Sequence, residues 1–152
     1  MVESSLKTFP IYLIVASTIG CINVERIDIA FLIDSSRSVT EEDFQRQKEF
    51  IREIVGEFPV GPEKSLVGVI KYGTGANVEI RFSDYTDEKM LLERVDRLQH
   101  SAATESRLDA ALQLAQDSLF TREAGARIGD QKTRQVGIAF YSPPRVLSDY
   151  FS

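Results

Sequence analysis

Residues Ile27 to Ile33 read IDIAFLI, an apolar, β-rich run with a single interior charge, Asp28. A strand of that composition has no face to give to water, so it belongs inside a parallel sheet covered on both sides. The chain around it supplies the cover. Asp34 to Ser38 (DSSRS) ends the strand, and Thr40 follows as a helix N-cap. Glu41, Glu42 and Asp43 fill the first helical turn, where the helix dipole favours acids. Phe44, Phe50, Ile51, Ile54, Val55 and Phe58 then recur at mostly three- and four-residue spacing, as one helical stripe does, until Pro59, Gly61 and Pro62 stop it.

The remainder keeps alternating. Ser65 to Tyr72 (SLVGVIKY) is a second strand and Val78 to Phe82 a half-exposed third; the short turn at 73–77 makes them an antiparallel hairpin. Thr86 or Asp87 opens a helix through about Leu98. A polar loop spans 99–106, and Leu108, Ala111, Leu112, Ala115 and Leu119 mark another helix. A loop at 121–133 leads to a fourth strand, Gln135 to Phe140 (QVGIAF). The order β-α-β-β-α-α-β predicts an α/β layered domain. A length of 152 residues suits one such domain. The net charge of −5 argues against a non-specific nucleic-acid partner. A single cysteine, Cys21, excludes a disulfide scaffold and a multi-cysteine zinc site. The single histidine, His100, lies in the polar loop and reads as a surface residue.

Residues 1–20 read differently from the rest. Phe9 to Ile19 is a largely apolar run ending in small residues, too short to span a bilayer and of the length of a signal-peptide core. Cleavage after Ser17 or Gly20 fits, and the product is then a secreted protein with no stable membrane anchor. The competing reading is a buried N-terminal strand.

The loop after the first strand carries the chemistry. Asp34 with hydroxyls at Ser36 and Ser38 offers only hard oxygen ligands, at the carboxyl end of a strand where open α/β sheets bind ligands. Such a set suits Mg²⁺, Mn²⁺ or Ca²⁺. The alternative is a solvated turn whose Asp and Ser side chains cap the next helix. FLIDSSRSV resembles the first strand and Asp-x-Ser-x-Ser loop of the von Willebrand factor type A domain, with Asp34, Ser36 and Ser38 in the motif positions. SLVGVIKYG with VEIRF, ATESRLDAALQLA, and LFTREAGAR before an apolar strand are similar to later parts of the same family, so the resemblance covers about Ile27 to Phe140. It implies an open, mostly parallel, Rossmann-like sheet with flanking helices over residues 25–140. It also implies a non-enzymatic adhesion module of the extracellular-matrix kind, similar to matrilins, binding a matrix or cell-surface protein through a divalent cation. A second-loop hydroxyl joins that cation in the family; here it is Ser106 or Thr104, and each is equally a helix N-cap.

The third loop departs from the family. Its fourth strand ends in Thr-Asp-Gly, whereas this chain reads Phe140-Tyr141-Ser142-Pro143-Pro144. The chain therefore reads as a domain incomplete at its C-terminal edge, with 141–152 a divergent tail. Cation binding is then weak or absent, and the fourth strand is left as an edge open to self-association. The other class of function is a hydrolase using Asp34 with a hydroxyl relay; the sequence supplies no second acid or base beside it.

Overall fold

The computed structural model describes residues 25–141 and the backbone of 12–17. Cys21 and the tail from Ser142 lie outside the described residues. Five strands, β1 (Tyr12–Ser17), β2 (Arg26–Asp34), β3 (Ser65–Tyr72), β4 (Ala76–Ile80) and β5 (Thr133–Tyr141), form one sheet in the order β1-β5-β2-β3-β4. The three inner strands are parallel, and both outer strands run antiparallel to their neighbours. β2 is the centre. It pairs on both edges and is buried continuously from Asp28 to Asp34, as its composition requires.

Two helices cover one face: α1 (Glu41–Glu57) and α2 (Glu88–Asp96). Thr40 caps α1 by accepting a hydrogen bond from the Asp43 N–H. Phe44, Ile51 and Val55 of α1 and Leu91 and Val95 of α2 pack on Phe31, Ile33, Val69, Ile138 and Phe140 of the sheet. The opposite face carries α3 (Leu108–Leu114) and a π-helical turn, Ala115–Leu119. Their Ala111, Ala115 and Leu119 meet Ala30, Leu32, Ile70 and Tyr72. Gly68 permits that approach, since a Cβ there would fall 2.8 Å from Leu119 Cδ1.

Asp28, the one charge inside the apolar run of β2, is fully buried, and its main partner is a loop residue. Arg127 donates to it from its backbone N–H at 2.7 Å and from Nε at 2.9 Å, and Gln135 Nε2 adds a third bond at 3.2 Å. The same guanidinium reaches the carbonyls of Ile27, Pro62 and Lys64, so Arg127 ties the 121–133 loop to the amino ends of β2 and β3.

The α/β class and flanking helices agree with the sequence reading, and three details differ. β4 ends at Ile80, because Phe82 turns out of the sheet to pack against the Phe120 ring at 5.4 Å. The helix expected to run to Leu119 changes from α to π geometry at Ala115. Most consequentially, β5 is not an edge. Tyr12–Ser17 lies outside it as an antiparallel strand, so the open edge expected for the fourth strand is filled by the chain's own N-terminal segment. An unpaired row of N–H and C=O groups accepts an extended apolar segment within reach.

Candidate metal-binding site

β2 delivers Asp34 to the carboxyl edge of the sheet, and three neighbours fix the residue there. Gln47, fully buried on α1, accepts from the Asp34 N–H at 2.8 Å and donates to its carbonyl at 2.9 Å. The carboxylate itself has no exposed surface. Its Oδ1 accepts from the Ser36 N–H and its Oδ2 from the Ser106 hydroxyl, each at 2.8 Å. Asp34, Ser35 and Ser36 are thus withdrawn from solvent while Arg37 stays exposed, and the capping of α1 is left to Thr40.

The turn is stitched to the loop that precedes α3. Arg37 N–H donates to the Ala103 carbonyl at 2.7 Å and Ala103 N–H to the Ser35 carbonyl at 3.2 Å. Ser35 Oγ accepts from Ser101 N–H at 2.7 Å and contacts Ser101 Oγ at 3.0 Å. Gly73, in the β3–β4 turn, lets this loop come close. A Cβ there would lie 2.5 Å from Ala103 Cβ, and the Gly73 carbonyl accepts from Arg107 N–H at 2.8 Å.

The two second-loop candidates separate. Ser106 sits against Asp34 and does not cap α3, whose N-cap position is Arg107 without a side-chain bond. Thr104 points elsewhere, with its Oγ1 3.4 Å from Thr74 Oγ1. Ser38 is half-buried in the same turn as Asp34. Ser36 Oγ is buried and has no hydrogen-bond partner among the described residues. Among the described residues no group of three or more His, Cys, Asp and Glu is placed to hold a metal. The oxygens available are one carboxylate and several hydroxyls, a donor set that fits a hard cation.

Sequence reasoning missed three residues here. Gln47 was detectable as a polar residue three positions after Phe44, inside the apolar stripe. Tyr72 gave no signal. Its hydroxyl donates to the Phe140 carbonyl and lies beside Ser106 and Asp34. Burial pushes this phenol above its ordinary range and the Asp34 charge pushes it further, while the Ser106 hydrogen bond acts the other way. His100 is a correction: it is not a surface histidine. Its side chain is 9% exposed, stacks on Phe44 at 5.2 Å, has Nε2 2.9 Å from the Ser36 carbonyl and Nδ1 3.3 Å from Glu41 Oε2. The Phe44 ring supplies the apolar surface that draws it out of solvent. Asp109, the nearest acid on α3 by sequence, is engaged by Arg107, whose hydrogen bond holds its carboxyl down to about 2.

The chain is similar to several known proteins. Human matrilin-3 is 37% identical over 113 residues, covering 74% of this chain and 23% of matrilin-3. The human collagen alpha-5(VI) chain is 32% identical over 106 residues, 68% of this chain and 4% of the collagen. The chain therefore spans well under a third of these relatives. Among solved structures, proximal thread matrix protein 1 from the mussel byssus, with a zinc-occupied MIDAS motif, superposes with a TM-score of 0.60 at 24% identity, over 72% of this chain and 28% of that one, a likeness of fold. Residues 28–141 match the von Willebrand factor type A domain, and the chain belongs to that family.

Proposed function

We propose that this chain is a secreted, non-enzymatic protein-binding module that engages an extracellular-matrix or cell-surface protein through a divalent cation held by Asp34, Ser36, Ser38 and Ser106. The observation that carries the reading is Ser36 Oγ. Buried oxygens normally have a partner, and this one has none among the described residues while sitting two positions from a buried carboxylate. A hard cation at the carboxyl edge of β2 would satisfy it. Ser106 is preferred to Thr104 as the second-loop ligand because its hydroxyl already reaches Asp34. The matrilin and collagen relatives support a matrix setting, and the zinc of the byssus protein supports a divalent charge without selecting the ion. Oxygen donors favour Mg²⁺, with Mn²⁺ or Ca²⁺ next. Arg37, exposed in the same loop, suits a partner that presents a carboxylate to the metal.

A hydrolase built on Asp34 has less support. Both carboxylate oxygens accept hydrogen bonds, and His100 directs Nε2 to the Ser36 carbonyl. With one carboxylate in the donor set, little of the ion's dehydration is offset, so the expected affinity is weak, roughly millimolar. Calorimetric titration with Mg²⁺ and Mn²⁺ tests this. Asp34→Ala abolishes binding, and Ser36→Ala weakens it by about tenfold or more, since even outer-shell partners of a metal are worth that much. An unchanged titration for Asp34→Ala would remove the site from consideration.

Secretion rests on the apolar run of 9–19, with cleavage near Ser17 to Gly20 and residues 25–140 as the folded module. The N-terminal mass of secreted material checks it; intact Met1 in a soluble intracellular pool counts against it. Self-association through β5 belongs to the same reading, because such cleavage takes β1 away.

A further inference from the structure

Gln47 and Lys48 are neighbours on α1, and both are buried although both are polar. Gln47 holds the backbone of Asp34. Lys48 reaches the other way. Its Nζ donates to the Asp96 carbonyl at 2.8 Å and to the Leu98 carbonyl at 3.1 Å, and it lies 5.9 Å from the centroid of the Phe44 ring. Asp96 is the last residue of α2. Carbonyls at a helix C-terminus lack intrahelical partners and carry the negative end of the dipole, so an ammonium suits them. Here that cap comes from another helix. The Asp96 carboxylate takes no part in it, being held by Arg52 at 2.7 Å.

The capped carbonyls form the stem of the 99–107 loop. The next carbonyl, of Gln99, accepts from Lys71 Nζ at 3.0 Å. Beyond the stem the loop makes its contacts with the Asp34 turn. Ser101 N–H donates to Ser35 Oγ, Ala103 N–H to the Ser35 carbonyl, and the Ser106 hydroxyl to Asp34 Oδ2. Adjacent residues of one helix therefore grip the two halves of the candidate site. Gln47 holds the strand that brings Asp34, and Lys48 holds the loop that brings Ser106. A buried ammonium is costly where an apolar side chain would pack as well, which sets Lys48 apart from the apolar stripe around it.

We propose that Lys48 is a positioning residue for the cation site: by tying the exit of α2 to α1, it sets where Ser106 stands relative to Asp34. Its charge and its hydrogen bonds act on the cation with opposite signs. A positive charge nearby repels the ion, so neutralising Lys48 would tighten binding if electrostatics alone mattered. Loss of the stem bonds releases the 99–107 loop and draws Ser106 off Asp34, which weakens binding. The proposal deepens the cation reading above and rests on it only where affinity is the readout.

The test compares the full chain with Lys48→Met and with Lys48→Arg, which keeps the charge and the donors. The first readout needs no metal. In the ion-free chain the N–H groups of Ala103 and Arg107, bonded to the Ser35 and Gly73 carbonyls, should exchange faster in Lys48→Met, while the Asp34 N–H held by Gln47 stays as protected as in the parent. The second readout is calorimetric titration with Mg²⁺. Lys48→Met is expected to bind about tenfold or more weakly, the usual effect of losing an outer-shell partner, and Lys48→Arg to recover most of the loss. Ser106→Ala should weaken the parent but cost little more in Lys48→Met, where the hydroxyl has already withdrawn. If Lys48→Met does not fold, Lys48→Gln, neutral and one bond shorter, goes through the same measurements. Exchange at Ala103 and Arg107 that is unchanged, or that rises only in step with Asp34 as the urea midpoint falls, makes Lys48 a merely structural residue and overturns the proposal. Cation binding that tightens overturns it as well. A parent chain that takes up no Mg²⁺ overturns the cation reading alone, and the exchange pattern then decides the role of Lys48.

Discussion

Asp34 shows how much of a site is decided one residue at a time. A carboxylate without solvent survives in a fold only when its oxygens are satisfied, and here a backbone N–H and a serine hydroxyl do that work. Gln47 completes the residue by standing in for a strand neighbour, bonding both the N–H and the carbonyl of Asp34 from a helix. Tyr72 is the third member, and it carries a pH dependence whose sign follows from its environment. Its phenol is raised above the ordinary value of 10.0, first by burial and then by the Asp34 charge. Below pH 10 the phenol is protonated in both folded and unfolded chains, so its contribution to stability is complete. Above pH 10 the unfolded chain releases the proton first, and stability falls as pH rises. Tyrosinate absorbance should therefore report Tyr72 only when the chain unfolds in alkali. Tyr72→Phe should remove that late step and move the alkaline midpoint upward. A Tyr72 that ionises in the folded chain near pH 10 contradicts this account.

At the scale of elements, the site is a seam between three loops, and Gly73 is where they meet. The turn after β2, the β3–β4 turn and the 99–107 loop approach closely because position 73 has no side chain. Gly73→Ala should push the 99–107 loop outward and draw Ser106 off Asp34. The expected result is a loss of cation affinity together with about 1–3 kcal/mol of stability, the usual cost of forcing an extra methyl into packed structure. Calorimetry and urea unfolding of the same samples measure both. Gly75→Ala is the control, since a Cβ there meets nothing within 4 Å and both quantities should hold.

At the scale of the whole molecule, Asp28 and Arg127 join the far end of β2 to the loop that feeds β5. The carboxylate is fully buried and the guanidinium mostly so. Removing one partner of such a pair costs about 3–5 kcal/mol, because the other charge is left stranded. That is a large share of the ~5–15 kcal/mol by which a domain is stable. Arg127→Met is expected to lower the urea midpoint accordingly, and Asp28→Asn in the same chain to recover part of the loss. A midpoint that does not move would mean that the loop is held by its backbone bonds alone.

The sequence by itself determined what depends on local composition. The apolar run of β2, with Asp28 its one interior charge, could only be central, and Thr40 with three acids after it could only begin a helix. The DSSRS turn placed Asp34, Ser36 and Ser38 at the carboxyl end of a strand. Tertiary structure decided what depends on segments meeting across long stretches of chain. Spacing left Ser106 and Thr104 equivalent, and only the approach of the 99–107 loop to Asp34 separated them. Gln47 and Tyr72 could not be assigned because their partners lie 13 and 68 residues away. His100 looked exposed because no local pattern announces that Phe44 will receive its ring. The fate of the β5 edge was beyond sequence reasoning for the same reason. A strand's own residues say that it needs a neighbour, while the hydrogen bonds that fill the need are made to whichever extended segment the fold brings alongside.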